Sequence, residues 1–478
     1  MGSHRQVIVI GAGISGLTSA FRLRKLGVDV LLIESSDRAG GVIRSQFIDD
    51  YLIERGPNSS QGTDAFIGLV EELGIGKLLV EGDPKAPAYI YFNGSLHPVP
   101  RGPAGLIGTD LLTISAKLGL LAEPFRAKRE SDTEESVASF VGRRLGKQVA
   151  ERFVGPFTSG IYAGDPDRLS IQAAFPALSR LENDHGSLVR GAISQIRNAR
   201  TARKKSGGAP AKRRRRRLCS FAVGMESLPE ALASCLAEDF QTNCKVMELS
   251  RLGDSSKVAK EIIEKRFAVR FATRTGEERM TCEDLVIATP AFVASGLLSG
   301  LSDELAELLG QIEYPPLAVV SVAYDTKRIK VPLDGFGFLA VPGSGLSILG
   351  CVYNSSLFKQ RAPEGKALLT CFVGGARNPG VSGLGDSEIG ALVDSDLRGV
   401  LGISGDPEVV AITRYQRSIP QYNIGHAERV RRIDSLVSAI PGLRVIGNYL
   451  HGVSTGDCIK EADQTARSLA GEIFGEDS

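Results

Sequence analysis

Hydrophobic and polar positions along this chain follow two rhythms, one of period two or continuous and one of helical period. Residues 7–10 are continuously apolar and run straight into glycines, as expected of a strand buried on both faces. Apolar residues then recur at helical spacing over 14–26, Gly27 supplies a stop, and 28–33, apolar except for Asp29, reads as a second strand. That order predicts a βαβ start and a parallel, doubly wound sheet. Helical spacing returns at 65–79, and the pattern at 89–99 around Asn93 and Gly94 predicts a hairpin. From 102 to 196 the spacing is mainly helical, clearest at 111–121, 137–145 and 149–157. Beyond it the pattern predicts a loop and helix over 221–236, a strand at 245–249 and a buried strand at 285–288 stopped by Thr289 and Pro290. A strand-rich block over 318–373, a helix at 387–401 and a strand at 444–446 opening onto Gly447 complete the reading.

At 478 residues the chain calls for more than one domain. Its balance, 42% hydrophobic and 23% charged with a net charge of +2, gives no global pull toward nucleic acid, and no nucleic-acid partner is expected. The seven cysteines are scattered without C-x-x-C spacing, which argues against a zinc site or a disulfide framework and sets a reducing, cytoplasmic compartment as the expectation. No run of about 18 uncharged apolar residues is present, so a spanning helix is not expected. Between 197 and 217 the chain is basic, ending in five consecutive arginines from Arg213 to Arg217; this is read as a mobile surface loop.

The motif with most physical content is G-x-G-x-x-G at Gly11, Ala12, Gly13, Ile14, Ser15 and Gly16, placed after a strand and opening a helix. Gly11 permits a tight turn, Gly13 lets a pyrophosphate reach backbone N–H groups at the positive helix end, and Gly16 lets helix and strand pack closely. Glu34 ends the second strand 18 residues after Gly16, near the ~20 expected of a carboxylate that accepts from an adenosine ribose. Arg38, Gly40 and Gly41 then make E-x-x-x-R-x-G-G, which resembles two-dinucleotide-domain flavoproteins and points to FAD rather than NAD. Arg38 can meet phosphate or ribose oxygens, and the turn at Gly56, Pro57, Asn58 and Ser59 offers another close backbone approach.

Further segments narrow the resemblance. G-G-V-I-R-S at 40–45, E-R-G-P-N-S at 54–59, S-G-I-Y-A-G-D at 159–165 and G-M-E-S-L-P at 224–229 are similar to the oxygen-dependent protoporphyrinogen oxidases, within the flavin amine oxidase-like superfamily. So are F-V-G-G-A-R at 372–377, I-P-Q-Y-N-I-G-H at 419–426 and G-N-Y-L-H-G-V-S-T-G-D-C-I at 447–459. The resemblance implies an α/β fold: a Rossmann-like FAD-binding domain (1–85, 219–295 and 440–478) interleaved with a mixed-sheet substrate domain (86–101 and 302–439). A helical, membrane-binding-type insertion at 102–196 and the basic loop at 197–217 complete that organisation.

It further implies flavin contacts at Val42, Val246, Gly447, Asn448, Val453, Ser454 and Thr455, besides the glycine loop, Glu34, Arg38 and the 56–59 turn. The substrate pocket would be lined by Leu339, Leu349 and Phe372, with backbone at Ala163 and Gly164. One departure stands out: mitochondrial-type enzymes carry an arginine before the tyrosine of the hairpin strand, where this chain has Ala88 before Tyr89. Bacterial relatives that act on coproporphyrinogen III can also lack it, and A-Y-I-Y-F-N-G-S-L-H-P-V-P at 88–100 resembles theirs, which leaves the substrate open. Arg101, Arg168, Arg180 and Arg377 are the candidates to replace that charge.

The implied reaction is oxidation of protoporphyrinogen IX to protoporphyrin IX in three FAD-mediated two-electron steps, O2 being reduced to H2O2; coproporphyrinogen III oxidation is the alternative. A flavin amine oxidase and a non-catalytic tetrapyrrole-binding flavoprotein are the more distant readings. Hydride loss from a methylene flanked by pyrroles requires orientation and a dry pocket, so no catalytic acid or base and no metal is assigned, and His97, His185, His426 and His451 are read as structural. The apolar stretch 106–121 could meet the inner face of a membrane as a peripheral contact, burial in its own core being the favoured expectation. A homodimer is compatible with all of this.

Overall fold

The computed structural model describes residues 4–129, 133–205, 217–252 and 266–475. The apolar run at 7–10 lies in the strand His4–Ile10, which is parallel both to Val30–Ile33 and to Gly276–Ile287 inside a seven-stranded sheet. Being central, this strand needs apolar residues on both faces, and its alternation sorts them. Val7 and Val9 pack with helices Ile14–Lys25, Ser227–Leu236 and Thr455–Phe474. Ile8 and Ile10 pack on the other side with Ala291–Leu298, Asp303–Gly310 and His426–Ser438.

The sheet is mixed rather than parallel throughout. Phe267–Thr273 runs antiparallel to Gly276–Ile287 and to Lys245–Arg251, while Leu443–Val445 pairs in parallel with the end of Gly276–Ile287. The helix expected over 65–79 stops early, at Glu72, because Gly74 adopts φ +72, and the chain resumes as the short strand Leu79–Glu81.

A second seven-stranded sheet has the order Val409–Tyr415, Leu317–Asp325, Lys366–Gly374, Ile348–Tyr353, Gly337–Ala340, Ala88–Phe92 and Ser95–Pro98. Asn93 and Gly94, both at positive φ, close the hairpin that their sequence predicts. Helix Asp386–Leu401 covers one face, burying Phe338, Cys371 and Val373 against Val393 and Leu397. The opposite face of this sheet is the one that concerns function.

Helices Gly102–Gly108, Ile114–Leu121, Val137–Leu145, Gly155–Tyr162, Pro176–His185 and Leu188–Lys205 form the intervening layer. A π-type turn at Ala150–Val154 interrupts the run expected over 149–157, next to Pro156, which has no N–H to donate. The layer is pinned by a fully buried pair, Arg144 on Glu123, whose carboxylate also accepts from Ser187 Oγ at 2.6 Å and from the Leu188 N–H at 2.9 Å.

Two expectations are corrected here. Leu188–Lys205 is helical to its end, so the loop read over 197–217 begins as helix; 206–216, with Arg213 to Arg216, lies outside the described residues, and Arg217 pairs with Glu81. The stretch 106–121 is not buried in its own core: Leu111 and Leu112 are, but Ile107, Ile114, Leu118 and Leu121 are exposed, and Phe125 just beyond is 85% exposed. Among the described residues no helix is long and apolar enough to cross a membrane.

Candidate flavin and substrate site

The glycine loop is built as its chemistry requires. Gly11 holds φ +100, and a Cβ on Gly16 would lie 1.9 Å from the Gly11 carbonyl oxygen, so strand and helix touch at a distance only glycine allows. In front of Gly13 nothing lies within 4 Å of where a Cβ would stand, leaving a gap at the N-terminus of helix Ile14–Lys25, where backbone N–H groups face outward. Around that gap the separate motifs meet. A Cβ on Gly41 would stand 3.3 Å from Gly13 Cα, and one on Gly56 would stand 2.0 Å from the Val42 carbonyl oxygen. Val42 itself is exposed, an apolar side chain awaiting cover beside that glycine turn. Thr289 Oγ1, buried close to Gly11, has no hydrogen-bond partner. An open anion cradle, glycine-only approaches and an exposed apolar rim fit a dinucleotide with a flat ring system.

Glu34 closes the adenosine end. Its Oε2 accepts the Ala12 N–H at 2.7 Å and its Oε1 the Ser36 N–H at 2.8 Å, which fixes the carboxylate and leaves further lone pairs for a ribose. Arg38 differs from expectation. It donates to the carbonyls of Ala39 at 2.9 Å, Gly41 at 2.5 Å and Ile43 at 3.1 Å and pairs with Glu226 at 3.1 Å, so it braces the 39–43 loop. Val246 is the second residue of the strand Lys245–Arg251, beside a bulge, and its side chain belongs to the sheet core.

At the other end, Ser454 caps helix Thr455–Phe474: its Oγ accepts the Asp457 N–H at 3.1 Å, and Asp457 bonds back to Ser454. The positive end of this helix therefore points to the stretch 447–455. A Cβ on Gly447 would collide with the Tyr449 ring at 2.6 Å, Tyr422 OH donates to the Asn448 carbonyl at 2.7 Å, and Val453 packs with Tyr422 and Tyr162. Glu461, one of the residues no motif marked, accepts the Gly447 N–H at 3.2 Å; burial raises its carboxyl to about 7, against the pull of His451. His426 stacks on Tyr422 at 4.2 Å, and burial holds its imidazole down at about 4, so it is neutral.

The substrate candidates converge from two directions. Leu339, Gly350 and Phe372 are register partners on adjacent strands, and Val319 continues the row. They alternate with Phe338, Cys371 and Val373, whose face is closed by helix Asp386–Leu401, so this row lies on the other face; Leu339 and Phe372 are half-buried there. Leu349 sits in the bulge between Ile348 and Gly350, also half-buried.

Onto this face comes the end of helix Gly155–Tyr162, where a Cβ on Gly160 would stand 2.6 Å from Leu339 Cδ2. Ala163 follows in the left-handed conformation, φ 47, and its carbonyl accepts the Ala376 N–H at 2.7 Å. Gly164 has room for no side chain, since Gln421 Oε1 lies 2.7 Å from its Cβ position.

Of the four arginines considered for the missing charge, Arg101 is bonded to the Lys85 and Ala86 carbonyls and Arg168 holds Glu313 at 2.6 and 2.8 Å. Arg180 caps its own helix turn. Arg377 adjoins the Ala376 to Ala163 hydrogen bond and, among the described residues, has one loose charge partner, Asp165 at 4.0 Å. Ala88 lies on the same row pattern as Ile90, the register partner of Leu339, so a side chain at 88 projects from the site face.

Comparison with known proteins agrees with this geometry. The model of the family "Flavin containing amine oxidoreductase" matches residues 14–470. The chloroplastic protoporphyrinogen oxidase of Oryza sativa subsp. japonica is 36% identical over 97% of this chain and 88% of its own. The coproporphyrinogen III oxidase of Bacillus subtilis is 29% identical over 98% and 99% respectively. A crystal structure from Exiguobacterium sp. 255-15, named as a candidate protoporphyrinogen oxidase, superposes with a TM-score of 0.80 at 26% identity, covering 99% of this chain and 100% of that one. With a dinucleotide cradle and a ligand face joined as described, the chain belongs to the flavin-containing amine oxidoreductase family and is an FAD-dependent oxidase akin to the porphyrinogen oxidases.

Proposed function

We propose that the protein oxidises a porphyrinogen to its porphyrin in tetrapyrrole biosynthesis, with protoporphyrinogen IX preferred and dioxygen taking the electrons as hydrogen peroxide. The observation that carries this reading is the apolar row Leu339, Gly350 and Phe372, faced by the Ala163–Gly164 backbone and rimmed by one underused arginine. Such apolar surfaces suit a tetrapyrrole macrocycle, and the relatives named above support the assignment. Bound FAD supplies a hydride acceptor, needed three times per porphyrinogen. The chain's part is to orient a methylene and exclude water. Leu339, Leu349 and Phe372 offer no proton, and Gly350 lets the Leu339 side chain lie close over its strand.

Substrate choice turns on carboxylates. Protoporphyrinogen IX has two propionates and coproporphyrinogen III four; Arg377 at the rim offers a charge to the first, whereas Ala88 on the site face, where mitochondrial-type enzymes carry an arginine, favours the second. The B. subtilis relative, named for coproporphyrinogen III, keeps the second reading alive. Anaerobic stopped-flow reduction of the yellow protein by each porphyrinogen decides: faster bleaching by protoporphyrinogen IX is expected, faster bleaching by coproporphyrinogen III reverses the choice, and reduction by neither removes the function. Arg377→Ala is expected to raise KM about fivefold with kcat little changed, as befits a part-exposed charge contact. An unchanged KM would mean that Arg377 does not reach the propionate.

The exposed apolar side chains of the helical layer support peripheral membrane contact on the cytoplasmic side. Ile114 and Leu118 are 77% and 61% exposed on helix Ile114–Leu121, and Leu121 ends it. Inserting each contributes roughly 1.5 kcal/mol or more. Replacing all three with serine should reduce sedimentation with phosphatidylglycerol-containing vesicles at least about tenfold. A wild-type protein that stays in the supernatant would refute this contact.

A further inference from the structure

The 56–59 turn is gripped from beneath by buried polar side chains that carry no motif. Asn354, 2% exposed, follows the strand Ile348–Tyr353 of the ligand-facing sheet. Its Nδ2 donates to Asn58 Oδ1 at 2.8 Å and to Thr370 Oγ1 at 2.9 Å, and Thr370 Oγ1 lies 3.1 Å from Ser321 Oγ. From the same short segment Arg361 donates to Ser220 Oγ, which in turn donates to the Asn58 carbonyl at 3.2 Å. Asn58 is thus held at its side chain and at its main chain by one stretch of the substrate side of the molecule.

The side-chain contact has a directional consequence. A primary amide presents an acceptor on one side and two donors on the other. Asn354 takes the acceptor of Asn58, so the two N–H donors of Asn58 face away from it, and Asn58 is only half-buried. Donors so placed beside the glycine turn suit the acceptor-rich pyrimidine edge of a flavin. Asn354 Oδ1, by contrast, is buried without a partner. Keeping an unpaired buried acceptor is unfavourable by about 1–3 kcal/mol, which is tolerable where the donor half of the same amide has a task.

We infer that Asn354 is a positioning residue for the flavin, acting by fixing the orientation of the Asn58 amide; the inference rests on reading 56–59 as a flavin-contacting turn. A double-mutant cycle on FAD affinity tests it, using apoprotein titrated with FAD and followed by flavin fluorescence. Asn58→Ala and Asn354→Leu are each expected to raise the Kd for FAD about tenfold, and the double variant no further than either alone. Both should also shift the midpoint potential of bound flavin in the same direction, which a merely structural contact would not do.

Asn354→Ser, small and polar but too short to reach Asn58, should match Asn354→Leu and serves if the leucine variant does not fold. Unchanged affinity in Asn58→Ala overturns the reading of the turn itself. Weakened affinity in Asn58→Ala, combined with unchanged affinity in Asn354→Ser or with multiplying effects in the double variant, overturns only the positioning role.

Discussion

Arg361→Met is expected to destabilise the protein by about 3–5 kcal/mol, with the double variant Glu54→Leu/Arg361→Met recovering about half of the loss. Glu54 and Arg361 are 0% and 1% exposed and stand 2.8 Å apart. Glu54 closes the strand Tyr51–Glu54 that leads into the flavin-side turn; it also accepts from Ser45 Oγ at 2.6 Å and from the Met225 N–H at 2.9 Å. Such a pair adds little net stability over an apolar one of equal volume, but removing only the cation strands a buried carboxylate. The double variant avoids that charge and still leaves the Met225 N–H without its acceptor, hence a partial recovery.

The loss should depend on pH. Burial already pushes the Glu54 carboxyl up, and without Arg361 it rises further, so the folded variant keeps a proton that the unfolded chain has released above about pH 4.3. A group whose folded value is raised contributes less as pH rises through the range between its two values. The variant is therefore expected to be closest to wild type in mild acid and to lose ground toward pH 8. Urea unfolding with saturating FAD at pH 5 and pH 8 measures this, and a deficit independent of pH would mean that Glu54 stays ionised in the variant.

How far such features could be read from sequence depended on where their partners lie. The glycine loop was legible because its constraints are local: the collision between Gly16 and Gly11, five positions apart, is forced by one turn of chain. The Asn93–Gly94 hairpin was legible for the same reason. That Ala88–Phe92 runs parallel to Gly337–Ala340 was not, since the two strands share no local pattern and are brought together only by the tertiary fold. Nor was the antiparallel pairing of Phe267–Thr273 with both its neighbours, which turned an expected parallel sheet into a mixed one.

Leu339 and Phe372 were candidates through motif neighbourhood alone, and register puts them in one row without showing what they bind. Asn354, Arg361 and Glu461 were missed because a polar residue in one sequence is by default a surface residue; only their buried partners from distant segments reveal a role. The stretch 106–121 failed differently. Its helix Ile114–Leu121 is apolar on nearly every side, and such a pattern cannot say whether protein or lipid covers it.

The locality of the glycine loop also makes it the sharpest place to separate folding from ligand binding. Gly16→Ala places a methyl 1.9 Å from the Gly11 carbonyl oxygen and 3.1 Å from Ala288 Cβ. Backbone cannot yield as a flexible side chain would, so helix Ile14–Lys25 must move off the strand, at about 1–3 kcal/mol of strain, carrying its N-terminal N–H groups away from the pyrophosphate. The purified variant is expected to be colourless, with its Kd for FAD raised about a thousandfold or more. Gly13→Ala makes the opposite case. Its Cβ meets nothing within 4 Å and its backbone, at φ −68, is open to alanine, so the apoprotein should melt at the wild-type temperature. FAD affinity should nonetheless fall about a hundredfold, because the methyl fills the gap intended for the pyrophosphate. Equilibrium dialysis against FAD, paired with apoprotein melting curves, checks both. If Gly13→Ala binds FAD as wild type does, the pyrophosphate does not lie over Gly13; if Gly16→Ala remains yellow, helix and strand can separate without loss of the cradle.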